Sequence, residues 1–299
     1  QDALYTNTTG ANNTAVGYQT LHANTTVSNL TAVGFEALKE NTTGGSNTAV
    51  GYQTLKANTA GYSSVAVGYL ALSSNTTGHS NVAIGKSALY ANTIGLQNVG
   101  IGEETLAANT TGSNNTAVGR RVMQYNTTGQ SNAAYGYEAL KFNTTGSSNM
   151  AIGNQTLAGN TTGHSNVAVG SGALSLNVSG YWNVAVGGAA GSNNTTNGMT
   201  AIGQYALNSN TTGAGNAALG ESALRANTTG YQNVAMGANA LRYNTTGGAN
   251  TAFGFESLKS NTTPLYNTAI GYRALLANTT GEKSTGVGSL ALYSNTTGF

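Results

Sequence analysis

Asn267-Thr268-Ala269-Ile270-Gly271-Tyr272-Arg273-Ala274-Leu275-Leu276-Ala277-Asn278-Thr279-Thr280-Gly281 is one copy of a unit that the whole chain repeats, two variable residues separating it from the next copy. Stacking the copies on the glycine that closes the Ala-Ile-Gly word gives a series from Gly17 to Gly288. The step is 17 residues throughout, except for one step of 16 between Gly187 and Gly203. So strict and short a period is the signature of a repeat architecture in which no unit buries its apolar residues alone and each is completed by its neighbours. The spacing predicts an all-β fold, a parallel β-solenoid (β-roll) with one 17-residue coil per unit. It covers 1–299 as a single elongated repeat domain of about 17 coils with no linker. Coils about 4.8 Å apart would make it roughly 80 Å long.

Each column of the stacked units states a physical requirement. The residue before the glycine is apolar in every unit, from Val16 and Val33 to Ile270 and Val287, and reads as core. Thr or Val prevails two residues earlier, so Thr-Ala-Val alternates as a short strand. Between them stands Ala, replaced only by Gly100 and Gly286, which implies a second tightly packed face against another sheet or chain. Leu recurs four residues after the glycine, from Leu21 to Leu292, with Met123 its near equivalent and Gly191 its one failure; it predicts a second buried column and an under-packed coil at Gly191. The position just after the glycine accepts Tyr18, Phe35, Lys86, Glu103 and Asn154, so it faces water, where Tyr and Phe of adjacent units can stack. Helix is excluded because glycine and Asn-Thr-Thr-Gly punctuation leave no window of about 10 helical positions.

Asn-Thr-Thr-Gly is the most repeated polar word. Its Asn occurs 18 times, from Asn7 to Asn295, and the glycine follows in all but three, at Val27, Asn197 and Pro264. Both residues tolerate left-handed backbone, which predicts a turn. A further Asn, four before the repeat glycine in 13 of 17 units, suits a ladder of side-chain amides from coil to coil.

Charged residues make up 7% of the chain and the net charge is +2, against roughly 25% charged in ordinary domains. Without clustered Lys and Arg there is nothing to steer the chain toward nucleic acid or an anionic membrane. There is no cysteine, no apolar run near the roughly 18 residues of a membrane span and no signal peptide. Gln1 and Phe299 fall in mid-unit, which reads as an excised piece of something longer with uncapped ends open to growth.

The corner word is also an N-glycosylation acceptor, at Asn7, Asn24, Asn41, Asn75, Asn109, Asn126, Asn143, Asn160, Asn177, Asn194, Asn210, Asn227, Asn244, Asn261, Asn278 and Asn295. Asn58 and Asn92 keep the Asn where the acceptor is broken, so the turn requires Asn in its own right. His22, His79 and His164 lie in different coils without a second metal ligand at hand. Glu36, Glu104, Glu138 and Glu256 share one column, expected to be exposed, with no two in adjacent coils. No catalytic set, phosphate loop or cofactor motif is visible, so the expectation is a non-enzyme without cofactor or metal.

Asn183-Val184-Ala185-Val186-Gly187 and Asn81-Val82-Ala83-Ile84-Gly85, the latter followed by Ala88-Leu89, resemble the head repeats of YadA-type trimeric autotransporter adhesins, bacterial surface proteins; similar repeats occur in phage fibres. The resemblance implies a left-handed β-roll assembled as a trimer that binds host matrix or other surfaces. The family's repeat is a few residues shorter and lacks the Asn-Thr-Thr-Gly corner.

These readings converge on an extracellular or cell-surface structural fibre or adhesin shaft, glycosylated at its corners. Its partner would be itself, as a trimer or an end-to-end filament, acting by multivalent contact. The alternative is an ice-binding β-solenoid, in which the corner Asn and second Thr, such as Asn143 and Thr145, would form a two-column polar array.

Overall fold

A computed structural model describes residues 2–298, and all its regular structure is parallel strand. The chain divides between Asn149 and Met150 into two compact units. The first holds the strands Thr14–Val16, Thr31–Val33, Thr48–Val50, Val65–Val67, Val82–Ile84, Val99–Ile101, Thr116–Val118 and Ala133–Tyr135. The second holds Met150–Ile152, Val167–Val169, Val184–Val186, Thr200–Ile202, Ala217–Leu219, Val234–Met236, Thr251–Phe253, Thr268–Ile270 and Thr285–Val287. Within each unit every strand pairs in parallel with the next at a register of one repeat, as Thr48 with Val65 and Val167 with Val184. The 16-residue step is absorbed outside the strands, so Val184 still pairs with Thr200. A stacked β-solenoid of 17-residue coils is therefore the fold.

The interior is not where the apolar columns place it. The middle Ala of the strand is inside: Ala32, Ala49, Ala66, Ala168, Ala185 and Ala252 are all fully buried. Both flanking columns point outward, and no residue of either is buried, Ile84 being 39% and Phe253 52% exposed. The physical reason is thickness. A coil this short leaves room between strand and Leu column for a methyl group only, as Gly100 shows, where an added Cβ would stand 3.4 Å from the Leu89 side chain. Size, not hydrophobicity, selects the inward residue.

The Leu column is buried as expected except at Leu292 in the last coil, and it is built on left-handed backbone: Leu38, Leu55, Leu140 and Leu241 have φ of 51, 49, 53 and 50°. Two further left-handed positions complete each coil, such as Ser46 and Gln53 around the strand Thr48–Val50. Left-handed Leu costs roughly 1–2 kcal/mol against the usual helical backbone, and full burial of the side chain repays a similar amount. By contrast the corner glycines are not left-handed. Gly61 is needed because a Cβ there would overlap the carbonyl of Gly78 in the next coil and the amide of its own Asn58. The strand-closing glycines meet both demands: Gly51 has φ 137°, and a Cβ on it would overlap the Gly68 carbonyl.

Two columns of buried Asn line the remaining interior. In the corner column the amide donates to its own turn and, except at Asn41 and Asn194, which leave Asn24 Oδ1 and Asn177 Oδ1 unmet, to the previous coil: Asn75 Nδ2 lies 2.9 Å from the Gly78 carbonyl and 2.8 Å from Asn58 Oδ1. In the column before the strand, Asn98 Oδ1 accepts from the Asn115 backbone N–H at 3.0 Å, and Asn98 Nδ2 donates to the Gly112 carbonyl at 2.9 Å. Buried amides so satisfied hold coils in register at little net cost.

Candidate functional site

The outward side of the strands runs continuously from coil to coil within each unit, because the strands pair in register. Its two columns carry β-branched and bulky apolar residues, including Val65, Ile84, Ile101 and Tyr135 in the first unit, and Met150, Leu219, Val234, Met236, Phe253 and Ile270 in the second. Exposed apolar side chains are ordinary when scattered, but a contiguous strip marks an interaction surface. A recess of about 160 Å³ opens in this face where Ala217 takes the place of a Thr or Val, walled by Thr200, Ala218, Leu219, Val234 and Met236. The sequence signal for this face was the variability of the Val column, which tolerates Tyr135 and Phe253 beside an Ala column that tolerates only Gly.

A second feature is the row of rings just after the repeat glycine. Tyr18, Phe35, Tyr52 and Tyr69 form one stack with successive centroids 5.3, 5.2 and 5.1 Å apart. The three histidines belong to ring stacks too. His22 lies on Tyr5 at 5.5 Å, His79 on Tyr62 at 4.4 Å and His164 on Tyr181 at 4.9 Å. Among the described residues no three His, Asp or Glu side chains gather around a common metal position.

The acidic column is not exposed. Glu36, Glu138 and Glu256 are buried, each neutralised by a cation three residues on, Lys39 at 2.6 Å, Lys141 at 2.7 Å and Lys259 at 2.6 Å. Glu36 also meets Lys56 at 2.8 Å and Gln53 at 2.8 Å. Burial alone would raise its pKa, but the hydrogen bonds from Lys39, Lys56 and Gln53 outweigh it and hold the carboxyl at about 2. Arg121 bridges two acids, 3.0 Å from Glu104 and 3.9 Å from Glu138. These are ties between neighbouring coils.

The glycosylation acceptors fare differently from expectation. Fourteen of them, Asn24, Asn41, Asn75, Asn109, Asn126, Asn143, Asn160, Asn177, Asn194, Asn210, Asn227, Asn244, Asn261 and Asn278, are 0% exposed. The nitrogen that would carry the sugar faces the interior and donates to protein, as Asn109 Nδ2 does to Asn92 Oδ1 at 2.8 Å and to the Gly112 carbonyl at 2.9 Å. Only Asn7 and Asn295 are half-buried. The array expected of an ice-binding corner also fails to form, because Asn143 points inward while Thr145 is exposed.

No helix of the described residues is long and apolar enough to cross a membrane. No family model matches the chain, and no curated protein matches its sequence.

Proposed function

We propose that the chain is a structural fibre segment of a cell-surface or extracellular assembly, non-enzymatic, built by lateral packing of further copies on the outward sheet face. The observation that carries this reading is the strip of exposed Val, Ile, Leu, Met and Phe on that face, with Ile84 39% and Ile270 41% exposed. A second copy is the natural occupant because it alone brings the same axial period, so that its side chains meet coil for coil along the strip. The ring stacks and ion ties lie outside the strands and remain available for repeated weak contacts with a surface. The resemblance to trimeric adhesin heads points to the same arrangement. Glycans have no part in this reading, since the amide nitrogens they require hold the interior together.

Sedimentation velocity combined with light scattering tests it. The wild-type chain is expected to run as an oligomer of defined mass, a trimer or a growing filament being told apart by that mass. Ile84→Lys with Ile101→Lys should return it to single chains with its circular dichroism unchanged. A wild-type chain that stays monomeric across its soluble concentration range overturns the proposal.

A further inference from the structure

Eight of the eleven Lys and Arg side chains lie within ion-pair distance of a carboxylate: Lys39, Lys56, Lys86, Arg120, Arg121, Lys141, Lys259 and Arg273. Among the described residues Arg225, Arg242 and Lys283 have no such partner. Two of these three stand on adjacent coils in one column, the fifth position after the repeat glycine. Elsewhere in that column Lys39, Lys56, Lys141 and Lys259 each meet a Glu at the second position after the glycine of the same or the preceding coil. Beneath the arginines that position holds Ser222 and Asn239 instead, and Arg242 Nη1 donates to Asn239 Oδ1 at 3.0 Å.

Ser209, Arg225, Ala226, Arg242 and Tyr243 enclose a surface recess of about 150 Å³. Tyrosine rings brace both guanidiniums: Arg225 Cζ stands 4.9 Å from the Tyr205 centroid and Arg242 Cζ 5.4 Å from that of Tyr243. Like charges on neighbouring coils repel, so two arginines on adjacent coils without a carboxylate are stabilised by any anion that settles between them. Arginine is the side chain suited to this, because its planar fork of donors matches the oxygens of a carboxylate, sulfate or phosphate. The Ser209 hydroxyl adds a donor.

We infer that Arg225, Arg242 and Ser209 form a binding site for an oxyanion group, either a free anion or the acidic group of a polysaccharide whose sugar body rests against Ala226 and Tyr243. The site lies on a single chain and does not depend on self-association.

The experiment is isothermal titration of the intact chain at low ionic strength with inorganic sulfate, inorganic phosphate, a heparin-derived hexasaccharide and neutral dextran. One sulfate, phosphate or hexasaccharide per chain and no response to dextran is the expected result. Binding of the free anions identifies them as sufficient, whereas binding of the hexasaccharide alone assigns the polysaccharide as the source. Arg225→Gln with Arg242→Gln should weaken binding about tenfold or more. Lys86→Gln with Lys283→Gln, which removes the same charge elsewhere, should leave it intact. Equal loss in both double variants, no loss in the arginine pair, or no binding by any of the three anions overturns the inference. Thermal melting of each variant separates loss of the site from loss of the fold.

Discussion

Met199 occupies the space that Gly191 leaves empty. Gly191 stands where the other coils have Leu or Met, and a Cβ added to it would overlap the Met199 Cε methyl, while Met199 itself is fully buried. Met199 takes the place of the Asn that precedes the strand in most coils. The under-packed coil expected at Gly191 is thus filled by a second exception in the same coil. Met199→Ala should open a cavity and destabilise the second unit by about 2–4 kcal/mol. Gly191→Leu alone should overpack, costing about 1–3 kcal/mol. Gly191→Leu combined with Met199→Asn should recover most of that loss, because φ at Gly191 is 55° and Leu174 holds 52° in the preceding coil. Thermal melting of the three variants checks this, and additive losses in the double variant would refute the compensation.

The corner Asn ladder predicts unequal costs along its length. Asn109 accepts from Asn126 at 2.8 Å and donates to Asn92 at 2.8 Å, whereas the buried Asn177 Oδ1 accepts from no described residue. Asn109→Ala should cost about 2–4 kcal/mol, since it strands buried polar groups on both neighbours. Asn177→Ala should cost about 1 kcal/mol less. Amide hydrogen exchange of the flanking coils reads the difference locally, and equal effects would show that the ladder is not what holds them.

Expression through a eukaryotic secretory pathway should leave the buried acceptors bare. Glycopeptide mapping of the folded fraction is expected to find Asn109, Asn126 and Asn143 unmodified and any sugar confined to Asn7 and Asn295, the two that are half-buried. A glycan on any of the three in folded protein would contradict the interior placement of their amides.

Acid should weaken the first unit over a defined window. The Glu36 carboxyl, with its pKa lowered from 4.5 to about 2, binds its proton less readily when folded than when unfolded. Its contribution is therefore fully present above pH 4.5 and is lost as pH falls toward 2. Linkage puts it at roughly 3 kcal/mol at most. Glu36→Gln should be less stable than wild type at neutral pH, and its stability should vary less between pH 5 and 2. An unchanged profile would mean the Lys39 and Lys56 contacts contribute nothing.

Recurrence made much of this legible. Seventeen copies of one glycine fixed the coil length, a Leu column in nearly every unit marked a buried side, and the mixed residues after the glycine marked a wet one. The two sides of the strand run opposite to what hydrophobicity alone predicts. Val50 and Ile84 face outward, while the smaller Ala49 and Ala83 face inward, since the coil has no room for more than a methyl group there. Tolerance of size was the better signal: a column that accepts Tyr135 and Phe253 cannot be inside. The left-handed Leu55 was not legible, because the single-residue preference of Leu opposes that backbone and only coil closure imposes it. The Arg225 recess was invisible for a related reason, as it arises from what Ser222 and Asn239 are not rather than from a motif.

At the 16-residue coil Asn194 Nδ2 turns to the Thr196 carbonyl, 2.9 Å away and only two residues on, and the Asn177 Oδ1 that it would have met is left empty-handed. The ladder resumes one coil later, where Asn210 donates to Asn194 at 2.8 Å. A stack whose stability is a sum of neighbour contacts yields at its weakest contact first. Pulled along its axis, the second unit has a built-in fuse: it should part between the coils of Asn177 and Asn194 and absorb the load there, leaving the coils on either side wound.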